Sequence, residues 1–266
     1  MKHFSRLILA ALVTLLSTSA KAYDFELDGI YYNILSLEEK MVQVTVGEKP
    51  YAGDIHIPSS IKFVGRKFLV TEVEDGAFCD LDELTSIELP SSIRRVSVFC
   101  HNCPKLTNVT FNDGIETLTT SFYYCPSLRT ISLPESLKGD LYNDFHFCHA
   151  LQSIEIPRNI RSITNSFREC TGMTSVIVPT LVATINNSFR GCVNIHSIIP
   201  LSPIPVKVDS DSELGITSFD GNLKASCTLY VPLDGLLSYK KDIFWGGFAK
   251  IRVLESATSM RNISRD

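Results

Sequence analysis

Residues 145–170 read FHFCHALQSIEIPRNIRSITNSFREC, which is one complete repeat and the start of the next. The unit F-x-x-C-x-x-L-x-x-I-x-L-P-x-x-I-x-x-I is present about six times along the chain. A period of about 20–50 residues indicates a solenoid or another repeat array. The repeat, rather than any single residue, therefore determines the fold.

Cysteines mark the repeat at intervals of 22, 23, 22 and 22 residues. They are Cys103, Cys125, Cys148, Cys170 and Cys192. A phenylalanine precedes each of the last four by three residues, and in this frame Cys100 takes the phenylalanine position before Cys103. We expect both columns to be buried, because stacked coils align equivalent side chains in the core.

The second half of the unit predicts strand structure. The run L-x-x-I-x-L alternates apolar and polar residues, which is typical of a half-buried strand. The proline that follows has no N–H for a ladder and ends the strand. Ile160 and Ile163 then begin a second short extended or tight helical segment. Coils stacked about 4.8 Å apart predict a β-rich, right-handed solenoid.

The pattern resembles the BspA-type leucine-rich repeat of bacterial exported and surface proteins, over about Phe78–Pro200. Segments on both sides of the repeats are similar to that family's caps. They are Asp28–Tyr32, Val42–Thr45 and Tyr51–Pro58 on the N-terminal side, and Leu229–Pro232 with Tyr239, Trp245, Phe248 and Ile251 on the C-terminal side. The resemblance implies a leucine-rich solenoid of 22–23-residue units between N- and C-terminal β caps.

The first 22 residues have the pattern of a secretory signal peptide. Lys2 and Arg6 precede and flank the apolar run Leu7–Leu16, and residues 20–22 form an A-x-A cleavage site. This run is too short to span a bilayer, which needs about 20 apolar residues, and no later stretch is long enough. We predict cleavage after Ala22, export to the periplasm or cell surface, and no transmembrane segment in the mature chain.

Composition divides the rest of the chain into four parts. We expect an N-terminal cap over residues 23–77, the leucine-rich solenoid over 78–200, a C-terminal repeat remnant and cap over 201–256, and a tail over 257–266. Caps are expected on physical grounds, because the end coils would otherwise expose core side chains and strand edges.

The formal charge argues against a nucleic-acid partner. The full chain has a net charge of −4, and without residues 1–22 it has 22 Lys and Arg against 29 Asp and Glu, which is −7. Nucleic-acid binding depends on clustered Lys and Arg. The partner that the sequence favours is an extracellular or cell-surface protein.

Eight cysteines in an exported chain suggest disulfides, but their phase favours free, buried thiols. Parallel side chains in a ladder seldom have the Cβ directions that a disulfide needs. Stacked disulfides and a metal site remain as alternatives. The C-x-x-C pair Cys100 and Cys103 and the group His146, Cys148 and His149 could supply ligands. We expect the pair to be core residues and the histidines to lie on the surface.

The chain shows no catalytic, cofactor-binding or metal-binding motif of the familiar kinds, such as a nucleophile elbow, a phosphate loop or H-E-x-x-H. Glu88 and Glu155 hold the same position in units three coils apart, so about 14 Å separates them. Paired glycosidase carboxylates are about 5–10 Å apart. An acid-lined pocket between cap and solenoid would revive an enzymatic or carbohydrate-binding function.

Two surfaces are candidates for protein binding. The first, which we call the ribbon, takes two outward-facing residues from each strand of the repeat. They are Ser86, Glu88, Asn108, Thr110, Thr130, Ser132, Ser153, Glu155, Ser175, Ile177, Ser197 and Ile199. Ile177 and Ile199 would form an apolar contact spot unless the final cap covers them. The second, the turn patch, consists of Tyr123, Tyr124 and Phe147, because aromatic residues are enriched at interfaces. Local packing in the turns is the alternative for these rings.

Resemblance to the BspA-type family implies adhesion to host matrix proteins or to other cells. The sequence therefore favours an exported, non-enzymatic protein-binding module that needs no cofactor. The alternatives are a carbohydrate-binding or enzymatic envelope protein that uses the solenoid as a scaffold, and a purely structural envelope component.

Overall fold

The structure is a computed structural model, and it describes residues 22–211, 216–220 and 222–255. The predicted signal peptide, apart from Ala22, and the predicted tail lie outside these residues. Within the described ranges, no helix is both long and apolar enough to cross a membrane.

Short strands make up most of the regular structure. In chain order they are β1 (Phe25–Leu27), β2 (Ile30–Ser36), β3 (Met41–Val44), β4 (Gly53–His56), β5 (Ser60–Phe63), β6 (Arg66–Val73), β7 (Leu84–Leu89), β8 (Arg95–Ser97), β9 (Asn108–Phe111), β10 (Thr117–Thr119), β11 (Gly139–Tyr142), β12 (Ile160–Thr164), β13 (Ser175–Val178), β14 (Thr184–Asn186), β15 (Ser197–Pro200), β16 (Lys207–Val208), β17 (Ser210–Asp211), β18 (Ile216–Thr217), β19 (Thr228–Val231) and β20 (Lys250–Val253). Among the described residues, helices occur only near the C-terminal end, as α1 (Leu223–Ser226), α2 (Leu236–Lys241) and 3-10 turns at Leu233–Gly235 and Trp245–Gly247.

The N-terminal sheet has the strand order β1-β2-β3-β6-β5. Its pairs are antiparallel except for β3 and β6, which run parallel. Val42, Val44, Phe68 and Val70 are fully buried, so one face of this sheet packs into the hydrophobic core that it shares with the repeats.

On one side of each coil lies a strand or an extended segment, and we call this side the first sheet. It consists of the three strands β4-β7-β9, a single bridge between Ser132 and Glu155, and the four strands β13-β15-β19-β20. Equivalent residues of neighbouring coils are paired in register, such as Ile87 with Val109 and Val176 with Ile198. Strand β4 precedes residue 78, so the first solenoid strand lies within the segment predicted as the N-terminal cap.

A second parallel sheet, with the order β16-β14-β12-β11-β10-β8, closes the other side of each coil. The two sheets form a solenoid of about seven turns, and the predicted leucine-rich β-solenoid is confirmed. The N-terminal sheet and the C-terminal helices lie where the sequence predicts caps, and their capping role stays a prediction.

A column of phenylalanine rings runs through the core. Its members are Phe78, Phe99, Phe122, Phe145, Phe167, Phe189 and Phe219, all buried. From Phe122 to Phe219 the rings are stacked, with centroids 5.1–5.2 Å apart. The backbone of Cys100 does occupy the phenylalanine position, with a left-handed φ of 55° like Phe122 at 59°. The ring nevertheless comes from Phe99, one residue earlier, which contacts Phe78 and Phe122.

Next to the rings lies a buried polar ladder, in which each backbone N–H donates to a side chain of the next coil. Ser121 N donates to Asp144 Oδ1 at 2.9 Å, Asp144 N to Ser166 Oγ at 3.2 Å, and Ser166 N to Ser188 Oγ at 3.2 Å. The ladder satisfies donors that would otherwise be buried without a partner. Four of its five members are serine, with Ser218 at the end, and Asp144 is the exception.

Candidate functional site

The ribbon lies on the first solenoid sheet, and its middle is exposed. The exposed members are Asn108, Thr110, Thr130, Ser132, Ser153 and Glu155, whereas Ser86, Glu88 and Ile177 are half-buried. Register pairing places Ser86 opposite Asn108 and Glu88 opposite Thr110. Their side chains therefore form two rows across these strands, and the bridge between Ser132 and Glu155 pairs equivalent residues of two later coils.

The sequence predicts that the C-terminal end of the ribbon faces outward, but in the structure this end is largely buried. Ser175 and Ser197 are 5% exposed and Ile199 is fully buried, so no apolar contact spot forms there with Ile177. The cause is that β15 is buried along its whole length rather than at alternate residues, which requires cover on both of its faces. The segment directly after β15 is itself packed by the C-terminal helices, where Tyr239 donates its hydroxyl to Ser202 O at 3.2 Å.

The ribbon begins one coil earlier than the sequence predicts. Asp54 and His56 on β4 pair with Ser86 and Glu88 and so begin the two rows one coil earlier. The sequence does indicate this extra coil, because Ile55-His56-Ile57-Pro58 matches the I-x-L-P of the repeat unit. The segment was assigned to the N-terminal cap because it also resembles that family's cap.

Hydrogen bonds fix the side chains at this end. Asp54 Oδ1 accepts from Ser86 Oγ at 2.6 Å and from Thr85 Oγ1 at 2.8 Å, and these bonds lower the pKa of Asp54. Glu88 Oε2 lies 2.9 Å from His56 Nδ1. This contact, helped by the Asn112 amide, lowers the pKa of Glu88. Both carboxyl groups are therefore ionised at neutral pH.

A cleft of about 480 Å³ opens beside Asp54 and His56, between the N-terminal sheet and the first solenoid strand. Its lining includes three carboxylates, one amine and two tyrosine rings. They belong to Glu26, Asp28, Asp54, Lys49, Tyr31 and Tyr51. A deep acid-lined pocket at this end of the solenoid would support an enzymatic or carbohydrate-binding function, and this cleft has the acidic lining.

The turn patch is present on one edge of the solenoid. Tyr123 and Tyr124 are 42% and 43% exposed, and Phe147 is half-buried. The Phe147 ring contacts Tyr123 at 5.5 Å and Tyr124 at 6.5 Å between centroids. These rings therefore pack against one another in the turns and also present part of their surface to solvent.

Histidines border the turn patch in two different settings. His149 is exposed as expected, and its ring lies 6.1 Å from Phe147. His146 is half-buried and bonds through Nε2 to the carbonyl of Asn165. Burial, together with the nearby Arg168, lowers the pKa of His146, so this ring is neutral at pH 7.

All eight cysteines are free, and the five of the cysteine column are fully buried. Each thiol donates to a backbone carbonyl of the preceding coil. The acceptors are the carbonyls of Phe78, Cys100, Phe122, Phe145 and Phe167, at 2.9–3.2 Å from Sγ. The column thus connects consecutive coils through hydrogen bonds as well as through packing.

The C-x-x-C pair lies in the core. Cys100 and Cys103 are both fully buried. Burial raises the pKa of Cys100, whereas the neighbouring thiols of Cys100 and Cys125 lower that of Cys103. In the part of the chain that the structure describes, no three His, Cys, Asp or Glu side chains are grouped so that they could hold a metal ion.

In-register parallel coils with a leucine-rich core define the class of leucine-rich repeat proteins. The BspA type leucine rich repeat region matches six copies in this chain, over residues 54–165 and 97–206. Because these matches cover more than half of the sequence, the chain belongs to the BspA-type leucine-rich repeat family. This is a family of surface repeat proteins.

Two solved structures are among those similar to this chain. A leucine rich cell surface protein from Faecalibacterium prausnitzii is 18% identical, with a TM-score of 0.51 over 83% of this chain and 73% of that protein. A leucine-rich repeat protein from Bacteroides ovatus is 18% identical, with a TM-score of 0.43 over 87% of this chain and 77% of that protein. No curated protein matches the chain.

Proposed function

We propose that this chain is an exported, non-enzymatic module that binds a protein partner at the cell surface. The observation that carries the proposal is the ribbon, in which exposed polar side chains of successive coils, such as Asn108, Thr110, Ser132 and Glu155, lie on one side of the solenoid. Solenoids use such long, regular faces as binding surfaces. Adhesion to matrix proteins, which the family resemblance implies, is the form of binding that we expect.

The carboxyl groups of the ribbon support a binding role rather than catalysis. A general acid needs a pKa raised toward neutrality, but hydrogen bonds lower the pKa of Asp54 and Glu88. Side chains that are already fixed by bonds offer a preorganised surface and lose little freedom when a partner binds.

The experiment is to measure binding of the purified protein to immobilised fibronectin, fibrinogen and laminin. We expect at least one of them to bind. We also expect the double substitution Asn108→Arg and Thr130→Arg to weaken that binding by about tenfold or more, because it places two long cations in the centre of the ribbon. The control is Ala183→Arg, an exposed position before strand β14 of the second sheet.

A carbohydrate-binding function is the second candidate, and the cleft at Asp54 favours it. A glycan array distinguishes the two. Suppose that the protein binds a glycan, that Glu26→Gln abolishes this binding, and that none of the three immobilised proteins binds. These results would contradict the proposed function and support carbohydrate binding. If neither class of ligand binds, a purely structural envelope role becomes the best explanation.

A further inference from the structure

The most exposed large apolar side chains of the described residues all belong to the C-terminal part of the chain. They are Ile204, Leu233, Leu237 and Ile243, which are 74%, 72%, 70% and 98% exposed. Grouped apolar side chains on a surface mark a contact with a protein or a membrane. We call these four residues the C-terminal patch.

A single helical stretch carries the two leucines of the patch. Leu233 begins a 3-10 turn, and Leu237 lies in α2, which follows this turn directly. Residues four apart lie on the same face of a helix. Gly235 and Tyr239 are buried, so the leucines point away from the core.

The two isoleucines of the patch border the same helix. The hydroxyl of Tyr239, in α2, donates to Ile204 O at 3.2 Å. Ile243 comes one residue after Asp242, the C-cap of α2. The helical stretch over residues 233–241 is about 15 Å long, so four aliphatic side chains emerge close to one another along it.

Cations accompany the patch. Lys240 and Lys241 occupy the last turn of α2, and Lys250 and Arg252 lie on β20. All four side chains are exposed, and none of them forms an ion pair with a residue in the described ranges. They are therefore available to an anionic partner.

The carboxylates of this end only partly offset these cations. Residues 222–255 contain five Lys and Arg against three Asp and Glu, which is a net charge of +2. Asp242 is half-buried, and its Oδ1 accepts the N–H groups of Phe244 and Trp245, both at 2.9 Å. Asp234 is exposed at the start of the helical stretch, and Glu255 is exposed after β20.

The remainder of the chain has the opposite charge. Residues 23–221 contain 15 Lys and Arg against 25 Asp and Glu, which is a net charge of −10. An anionic surface would therefore attract the C-terminal end and repel the rest of the solenoid. This asymmetry would orient the molecule as it approaches such a surface.

The chemistry of the patch favours lipid over a protein partner. Its members are leucine and isoleucine, whereas the aromatic rings of the same segment are buried, namely Tyr239, Phe244, Trp245 and Phe248. Energetically dominant residues of protein interfaces are enriched in Trp, Tyr and Arg, and Leu is under-represented among them. Aliphatic side chains beside lysines are typical of segments that lie at the boundary of headgroups and acyl chains.

We propose that the C-terminal patch docks this protein on an anionic lipid surface. The four aliphatic side chains enter the acyl boundary, and Lys240 and Lys241 lie at the level of the headgroups. This inference goes beyond the proposed protein-binding function, and it leaves the exposed middle of the ribbon free for a protein partner.

The test is co-sedimentation of the purified protein with vesicles of equal parts phosphatidylglycerol and phosphatidylcholine, or of phosphatidylcholine alone. We expect binding to the anionic vesicles to be about tenfold tighter or more, and to weaken with added salt. Leu233→Ser with Leu237→Ser, and Lys240→Glu with Lys241→Glu, should each weaken it by about tenfold or more. Asp234→Asn should strengthen it by about fivefold, because it removes a repelled charge.

Matched controls lie far from the patch in the fold. Lys62→Glu with Lys67→Glu makes the same change in net charge at two exposed, paired positions of β5 and β6. Leu69→Ser with Leu181→Ser removes two leucines that are 46% and 48% exposed. Both controls should leave vesicle binding within about twofold in 0.15 M salt, where charges are screened beyond about 8 Å.

Equal binding to both kinds of vesicle, or equal losses in the control variants, would overturn lipid docking. Dimerisation without vesicles that Leu237→Ser abolishes would also overturn it, because the patch would then be a contact between copies of this chain. So would loss of matrix-protein binding in the variant at Leu233 and Leu237. Patch-dependent vesicle binding without binding to any matrix protein would support lipid docking and contradict only the proposed function.

Discussion

At the residue scale, Asp144 is the position where the buried ladder departs from serine. Its carboxylate accepts the N–H groups of Ser121 and Tyr142, both at 2.9 Å, and it is fully buried. Burial raises the pKa of Asp144 well above its usual range, and these two bonds only partly oppose the shift. The other ladder residues have the same backbone role without a titratable group.

The raised pKa predicts that Asp144 makes stability depend on pH. The folded state holds the proton more tightly than the unfolded chain, where an aspartate has a pKa of about 3.9. This contribution is complete below that value and is lost as pH rises toward the folded pKa. The expected slope is about 1.4 kcal/mol per pH unit wherever only the unfolded carboxyl is ionised.

Asp144→Ser should remove this slope and stabilise the protein at pH 7, because serine is the residue of the rest of the ladder. Urea unfolding at pH 5 and at pH 7 measures both effects, and Asp140→Ser on the exposed side of β11 is the matched control. If Asp144→Ser instead destabilises the protein at pH 7 and keeps the slope, the two N–H bonds outweigh the cost of the buried charge.

At the scale of the element, the contacts of the cysteine column show why cysteine suits this position of the repeat. A thiol is small enough for the core and, when buried, it still finds an acceptor in a backbone carbonyl of the preceding coil. Burial raises the pKa of Cys148 to about 12, so at pH 8 only about one molecule in ten thousand is a thiolate there. The column should therefore be chemically inert while the solenoid is folded.

Thiol counting with Ellman's reagent at pH 8 checks this expectation. In the folded protein we expect reaction at Cys79 alone, which is the one half-buried cysteine among the described residues. All eight should react in denaturant without reductant. Rapid reaction of a second thiol in the folded state would indicate that Cys103, with its lowered pKa, is accessible after all. Fewer than eight after denaturation would indicate a disulfide.

The repeat predicted strands β7, β9, β13 and β15 because its period is long, regular and tied to buried residues. At the equivalent residues 128–133 and 151–156, where strands were also predicted, a single bridge joins Ser132 to Glu155.

The repeat could not predict that Phe99 supplies the ring of this coil. Phe99 lies four residues before Cys103 instead of three, while the backbone at Cys100 keeps the conformation of the phenylalanine position. The repeat also could not predict the burial of Ser197 and Ile199, because its alternating pattern places both residues on the outer face. The cleft depends on packing between the N-terminal sheet and the first solenoid strand, which the repeat pattern does not describe.

At the scale of the whole molecule, aromatic contacts connect both ends through the core. Tyr31 contacts Tyr51, and Tyr51 contacts Phe78 at the N-terminal end of the phenylalanine column. At the other end, Phe219 contacts Trp245 at 6.0 Å between ring centroids. The Trp245 indole is fully buried and donates its N–H to Val206 O at 2.7 Å. The C-terminal helices therefore continue the core instead of lying on its surface.

This continuity predicts cooperative unfolding. Trp245 is the one tryptophan in the sequence, so its fluorescence reports the C-terminal end, whereas far-ultraviolet circular dichroism reports all coils. We expect the two signals to change at the same urea concentration, because the end and the repeats share one packed column. Separate transitions would show that the C-terminal segment unfolds alone, as end units of weakly coupled repeats can.

Phe167→Ala tests the same column from its centre. The Phe167 ring is fully buried and stacks on Phe145 and Phe189 at 5.2 and 5.1 Å, so its removal leaves a cavity between two coils. We expect a loss of about 3–5 kcal/mol in unfolding free energy, and both signals should shift together, whereas Tyr142→Ala should cost less than about 1 kcal/mol. A small loss for Phe167→Ala, or a shift in circular dichroism alone, would mean that the rings pack locally and that each coil is stabilised independently of the ends.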